Sequence, residues 1–225
     1  MPDPTDPPVG TPADVPGITP PVVGTPRRWG VFAVGVACLI SGIALSVTAD
    51  LGVGSWQVLE TGLVETTGLS YGAVVLAESL VAITLAWWWL GQRPWFATVL
   101  LAFGGVGIGA MLAVLDTPDA MAGRVVFLGA GMTLIAVGVA FYLASDLGAS
   151  AQDALFVGLY RKYAIRPGVV RFGLDGSLVV LGAVLGGQFG AGTVAVTIVV
   201  PVLIEPALRA GHRLAATPLP VALQR

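Results

Sequence analysis

From residue 29 onward the chain alternates long apolar runs with short polar breaks, and the runs have the length that crosses a bilayer. About 20 helical residues span a hydrocarbon core of roughly 30 Å. Six runs qualify: Trp29–Thr48, Tyr71–Leu90, Trp95–Leu115, Val125–Ala144, Val169–Gly186 and Gly190–Leu208. The pattern predicts an all-α, polytopic membrane protein with six transmembrane helices. Residues 1–28 show no apolar period and hold nine of the 16 prolines, which reads as a disordered cytoplasmic tail. Arg27 and Arg28 flank a full-length span rather than a short secretory core, so the first helix is expected to stay in the mature protein.

Lysine and arginine positions test the count, because cytoplasmic loops carry an excess of them. With the amino terminus inside, the cytoplasmic segments receive Arg27, Arg28, Arg93, Arg161, Lys162, Arg166, Arg171, Arg209, Arg213 and Arg225, and only Arg124 falls outside. Six spans, both termini cytoplasmic and an inner-membrane location follow. The Trp87-Trp88-Trp89 run with Trp95 sits where an interfacial aromatic belt belongs.

A shift of 96 residues lays Gly42–Leu63 on Gly138–Leu159 with eight of 22 positions identical, and the register continues through Gly72 on Gly168 and Gly91-Gln92 on Gly187-Gln188. Such persistence reads as a duplication. It divides the chain into the tail 1–28, a first three-helix repeat 29–123, a second 124–210 and a cytoplasmic tail 211–225. An odd number of spans per copy makes the second copy enter from the opposite side, so the repeats are expected to be inverted, an architecture common among secondary transporters.

Between the first two spans of each copy lies a polar connection, Ala49–Ser70 and Ser145–Pro167, opening with Asp-Leu-Gly. In the first, Ser55–Val64 is expected to form a short interfacial or re-entrant helix burying Trp56, Leu59 and Leu63. In the second, Ser150 and Asp153 have capping-box spacing, so a helix should start at Ala151. The segment from Asp50 to Leu59 (DLGVGSWQVL), together with Asp146-Leu147-Gly148, Asp153-Ala154-Leu155 and the segment from Leu185 to Thr193 (LGGQFGAGT), resembles the YczE/YitT-type bacterial membrane proteins over roughly residues 29–210. It departs from that pattern at Ser55, where Pro is usual, and at Gln57, where Asp is usual. The resemblance implies membrane topology more than an activity.

Several polar residues within or beside the spans could line a path. Asp50 and Asp146 end equivalent spans at a glycine-containing break, either as ligands at discontinuous helices or as turn residues bonding nearby N–H groups. Glu78 and Asp175 lie about one-third of the way along their spans, where a charge costs a few kcal/mol. Arg171 stands four residues before Asp175 and could pair with it, whereas Glu78 has no local partner and reads as either a site residue or a protonated acid bonded across helices. Gln57 and Asp153 come from the family motifs. Glu205, between Pro201 and Pro206, reads as interfacial, and Gly105 with Gly109 and Gly182 with Gly186 as close helix crossings.

Composition narrows the function classes. Only 11% of residues are charged and 56% are hydrophobic, against about 25% charged in soluble domains. A net charge of -2 offers no footprint for nucleic acid. A single cysteine, Cys38, allows neither an internal disulfide nor a cysteine metal site, and His212, the only histidine, is expected in the cytoplasmic tail. No catalytic, metal or cofactor constellation is present in the sequence pattern, so an enzyme is not expected. The leading expectation is a small-solute or ion transporter with Glu78, Asp175, Arg171, Asp50, Asp146, Gln57 and Asp153 along its path. The alternatives are a non-transporting accessory or regulatory protein and a membrane-embedded substrate-binding subunit. Partners are the lipid bilayer and a small solute or ion, with a homo-oligomer or a partner membrane protein left open.

Overall fold

The computed structural model describes residues 24–163 and 165–218, so the expected tail lies outside the described residues except for its last few positions. Those positions correct its boundary. The Thr25 hydroxyl accepts from the Arg28 N–H, and Pro26 stands in the first turn where no backbone donor is required, so α1 (Pro26–Ala49) begins before Trp29. It ends at Asp50, whose left-handed backbone (φ 51°) turns the chain. A short helix α2 (Ser55–Thr67) follows. Ser70 caps α3 (Tyr71–Thr84), which runs on as a π-helical turn over Leu85–Trp89. After a loop come α4 (Phe96–Ala102) and α5 (Gly104–Leu112), broken at Phe103, then α6 (Met121–Ala144), the short α7 (Ala151–Tyr163), α8 (Pro167–Val184) and α9 (Ala191–Ala215).

Among the described residues every regular element is helical. Four helices are long and apolar enough to cross a membrane: Pro26–Ala49, Tyr71–Trp89, Met121–Ala144 and Ala191–Ala215. Phe96–Leu112 is apolar but shorter, and α8 carries Arg171 and Asp175. Outward faces present large apolar residues such as Phe96, Val106, Val126 and Val202, a surface suited to lipid rather than water. The three consecutive tryptophans are exposed, and the Lys162 ammonium beside them donates to the Trp89 carbonyl at 2.7 Å.

The centre of the molecule is the crossing of α1 and α6. A Cβ on Gly42 would stand 2.6 Å from the Ile135 nitrogen, and one on Gly138 would stand 2.6 Å from the Leu39 nitrogen. Gly35 meets Gly138 and Tyr142, and Gly131 meets Gly42 and Ser46, so partner numbers fall along α6 as they rise along α1. The helices are therefore antiparallel, in backbone contact through glycine. Ion pairs tie both ends: Arg28 to Asp146 at 3.9 Å and Arg124 to Asp50 at 3.3 Å.

The other helices flank this pair. α6 also packs on α9, and α1 on α5. The short helix α2 lies against α8, where Gly182 meets the backbone of Val58 and Leu59, while α7 lies against α3 and the turn that follows it, where Gly158 meets Leu90. Gly72 crosses Gly105 and Gly109 to join α3 to α5. The crossing expected at Gly105, Gly109 and Gly182 is present, but Gly186 has another cause: its φ of 84° is a left-handed turn after α8, and a Cβ there would meet only Glu65, at 3.5 Å. His212 is also corrected. It is not in a tail but within α9, 5% exposed, its Nδ1 2.8 Å from the Thr217 hydroxyl, because the helix continues to Ala215.

The central crossing predicts a graded mutational response. Gly42→Val and Gly138→Val must push backbone away and should each cost about 1–3 kcal/mol, whereas Gly129→Ala, with nothing within 4 Å of the new methyl, should be neutral. Unfolding in detergent micelles checks this; equal stability of all three would remove the glycine contact from its central role.

Candidate functional site

Between the helices lies a cavity of about 1060 Å³. Its walls are mainly apolar, with Val36, Leu39 and Ile43 from α1, Ile135 and Val139 from α6, and Val196 and Val200 from α9. Its polar groups come chiefly from the first turns of α2 and α7 and from α8: Ser55, Gln57, Glu60, Ser150, Gln152, Asp153, Arg171 and Asp175.

Local sequence aims the two short helices at the cavity. The loop before α2 lies against the loop before α9: the Gly192 N–H donates to the Leu51 carbonyl at 2.7 Å and the Val53 N–H to the Gln188 carbonyl at 3.3 Å. Gly52 (φ 105°) permits this approach, since a Cβ would lie 2.7 Å from the Gly190 nitrogen. Before α7 a similar contact forms, with the Thr98 hydroxyl donating to the Ala149 carbonyl at 2.7 Å and Gly148 against Trp95 and Ala97. The expected capping box is present, as the Asp153 N–H donates to Ser150 Oγ at 3.1 Å and the Ser150 N–H to Asp153 Oδ2 at 3.3 Å. Tyr142 from α6 adds a 2.6 Å hydrogen bond to the same Asp153 oxygen.

Asp175 is held from two sides. Arg171 Nε donates to Oδ2 at 2.8 Å, in the anticipated i,i+4 pair, and Ser55 Oγ donates to Oδ1 at 3.0 Å, joining α8 to the start of α2. The guanidinium also stands 5.9 Å from the centre of the Phe156 ring. Gln57, Asp153, Arg171 and Asp175 thus share the cavity wall. Asp50 and Asp146 do not: both sit at helix ends in left-handed conformations, paired with Arg124 and Arg28. Glu205 pairs with Arg209 on an exposed face at 2.6 Å.

Glu60 matters more here than its sequence context indicates. Glu60 is only 2% exposed, lines the cavity and accepts a hydrogen bond from the Tyr71 hydroxyl. The expected Glu78, on α3, does not line the cavity itself but turns toward Glu60 and Gln152 behind the wall, with both of its carboxyl oxygens buried and without a hydrogen bond of ordinary geometry. The buried face of α2 is Val58, Glu60 and Gly62, with Trp56, Leu59 and Leu63 only half-buried, which corrects the expected face. The available signal was the i,i+4 spacing of Trp56 and Glu60, which puts both on the cavity side.

Apolar spanning helices with lipid-suited outer faces around an interior cavity define a multi-pass helical membrane protein. The chain belongs to the family described as a family of unknown function (DUF6198), matched over residues 26–207. An uncharacterized protein of Haemophilus influenzae is 34% identical over 154 residues, 68% of this chain and 70% of that protein. The uncharacterized membrane protein YczE of Bacillus subtilis is 24% identical over 184 residues, 79% of this chain and 84% of its own, which bears out the resemblance read from the motifs. The uncharacterized protein YyaS of B. subtilis is 25% identical over 128 residues, 55% of this chain and 64% of that protein. No solved structure matches.

The Arg171 and Asp175 geometry generates a test. Asp175→Asn leaves the guanidinium without its charge partner and should destabilise the protein. The double change with Arg171→Gln should recover much of that loss, with a coupling of about 1 kcal/mol because both side chains are partly exposed. A double-mutant cycle by thermal unfolding measures it, and zero coupling would dissolve the pair.

Proposed function

We propose that the protein is a small-solute or ion transporter of the bacterial inner membrane, with six spans arranged as two inverted repeats and both termini cytoplasmic. The observation that carries this reading is the interior cavity, toward which the polar first turns of two short helices converge. Those helices begin 96 residues apart, at Ser55 and Ala151, as do the pairs Gly35 with Gly131 and Gly42 with Gly138 at the central crossing. Discontinuous helices whose amino termini face a mid-molecule cavity are a recurrent way to hold a solute in membrane carriers. In this reading α4 with α5 and α8 supply the remaining two spans. Gln57, Asp153, Arg171 and Asp175 line the path and Glu78 borders it, while Asp50 and Asp146 act at its margin by tying the ends of α1 and α6 through Arg124 and Arg28.

Two experiments test the proposal. With Cys38 replaced, a cysteine at Glu65 should react with an impermeant thiol reagent on intact cells and one at Lys162 should not; labelling at Lys162 from outside would overturn the inverted arrangement. Purified protein in liposomes should move solute unaided, and Glu78→Gln, which keeps the side-chain volume and the fold, should reduce that flux at least tenfold. Solute-independent liposomes across a broad uptake screen would instead favour an accessory protein.

A further inference from the structure

The cavity wall is uneven in charge. Arg171 and Asp175 cancel within one ion pair, and Asp153 is engaged as the cap of α7 with Tyr142 and Ser150 bonded to it. Glu60 remains on the wall, with Glu78 behind it and turned toward it. Among the described residues neither is ion-paired to a basic side chain, the Tyr71 hydroxyl and Gln152 being neutral neighbours. Two buried carboxyl groups side by side with no basic partner are costly to ionise in an apolar interior, and a cation brought beside them stabilises the ionised form. Aromatic rings also line the cavity, Trp56, Tyr142, Phe172 and Phe189, and their faces attract cations.

The wall is also uneven in closure. α3 and α5 meet through glycine, but α8 and α9 barely pack against one another. Along this gap, residues that line the cavity are at the same time exposed on the outer surface: Phe172 at 83%, Val180 at 63%, Val194 at 57% and Ile198 at 63%. They are all apolar and lie on helices of the membrane-facing shell. A ligand passing between them would come from the hydrocarbon phase and needs an apolar body, while the carboxylates at the polar end select positive charge.

We propose that the cavity binds a hydrophobic organic cation, admitted from the bilayer between α8 and α9 and neutralised by Glu60 and Glu78. The proposal rests on the transport reading for its purpose but not for its test, which is equilibrium binding. Tetraphenylphosphonium and tetraphenylborate have nearly the same size and apolar surface and opposite charge. The full chain in nanodiscs should bind radiolabelled tetraphenylphosphonium saturably, and tetraphenylborate should not displace it. Glu60→Gln and Glu78→Gln should each weaken binding at least tenfold. Gly176→Phe fills the lining of the gap at a position where an added Cβ meets nothing within 4 Å; it should fold normally and bind the cation at least fivefold more slowly. Displacement by tetraphenylborate, non-saturable uptake, or unchanged binding in a correctly folded Glu78→Gln would overturn the inference. Cation binding without flux in liposomes would sink the transport reading alone, and flux of another solute without cation binding would sink this inference alone.

Discussion

The backbone contact between α1 and α6 is the constraint on which the other features depend. In lipid no hydrophobic expulsion drives helices together, so close packing and polar contacts must do it. Four glycines, Gly35, Gly42, Gly131 and Gly138, let the two central helices touch along their length. That crossing fixes where the ends of α1 and α6 emerge, and hence where the chain must turn into α2 and α7. The Arg28 to Asp146 and Arg124 to Asp50 pairs hold those ends, so the start of each short helix is placed by a rigid neighbour rather than by a free loop.

Irregular backbone inside an apolar shell must satisfy its own N–H and C=O groups. The loop at Leu51–Gly54 does so by pairing with the loop at Gln188–Gly192, with Gln188 also donating to the Thr61 hydroxyl at 3.0 Å. Both segments carry two glycines within a few residues, and their spacing in sequence conceals that they are one structural unit. Glycine is required there because a side chain on Gly52, Gly190 or Gly192 would fall on opposing backbone.

Much of this was legible from the chain alone, and the reasons are local. Capping chemistry acts over three residues, so Ser150 and Asp153 announced α7, and an i,i+4 spacing announced the Arg171 to Asp175 pair. Apolar run length announced the long helices, although four rather than six satisfy it by helix length and composition. What escaped was non-local. Glu60 looks like a solvated residue on an amphipathic turn, and only the approach of Tyr71 and Glu78 from the next helix makes it an interior group. Nothing near Asp50 or Asp146 in sequence names an arginine at the far end of another helix as the partner. His212 was misplaced because the apolar run fades before the helix does, and Thr217 anchors the last turn by bonding both His212 and the Ala144 carbonyl.

On the proposed repeat, the two sides of the cavity should be equivalent, and their difference has a physical source in three positions. Gly72, Gly105 and Gly109 close α3 onto α5. The residues 96 further on are Gly168, Pro201 and Glu205. The first of these is a glycine with nothing within 4 Å, because its partners are no longer small: a proline ring and a carboxylate paired with Arg209 cannot admit a helix to backbone distance. The same fold is thus sealed on one side and parted on the other by the identity of the residues at one crossing. A carrier that alternated between its two faces by exchanging the roles of its halves would need the glycine crossing to open as readily as the other closes. Glycine contacts of this closeness do not open readily. For the transport reading proposed above, the asymmetry favours a moving element on the α8 and α9 side, with α1, α6, α3 and α5 as the fixed frame, over symmetric rocking of the two halves.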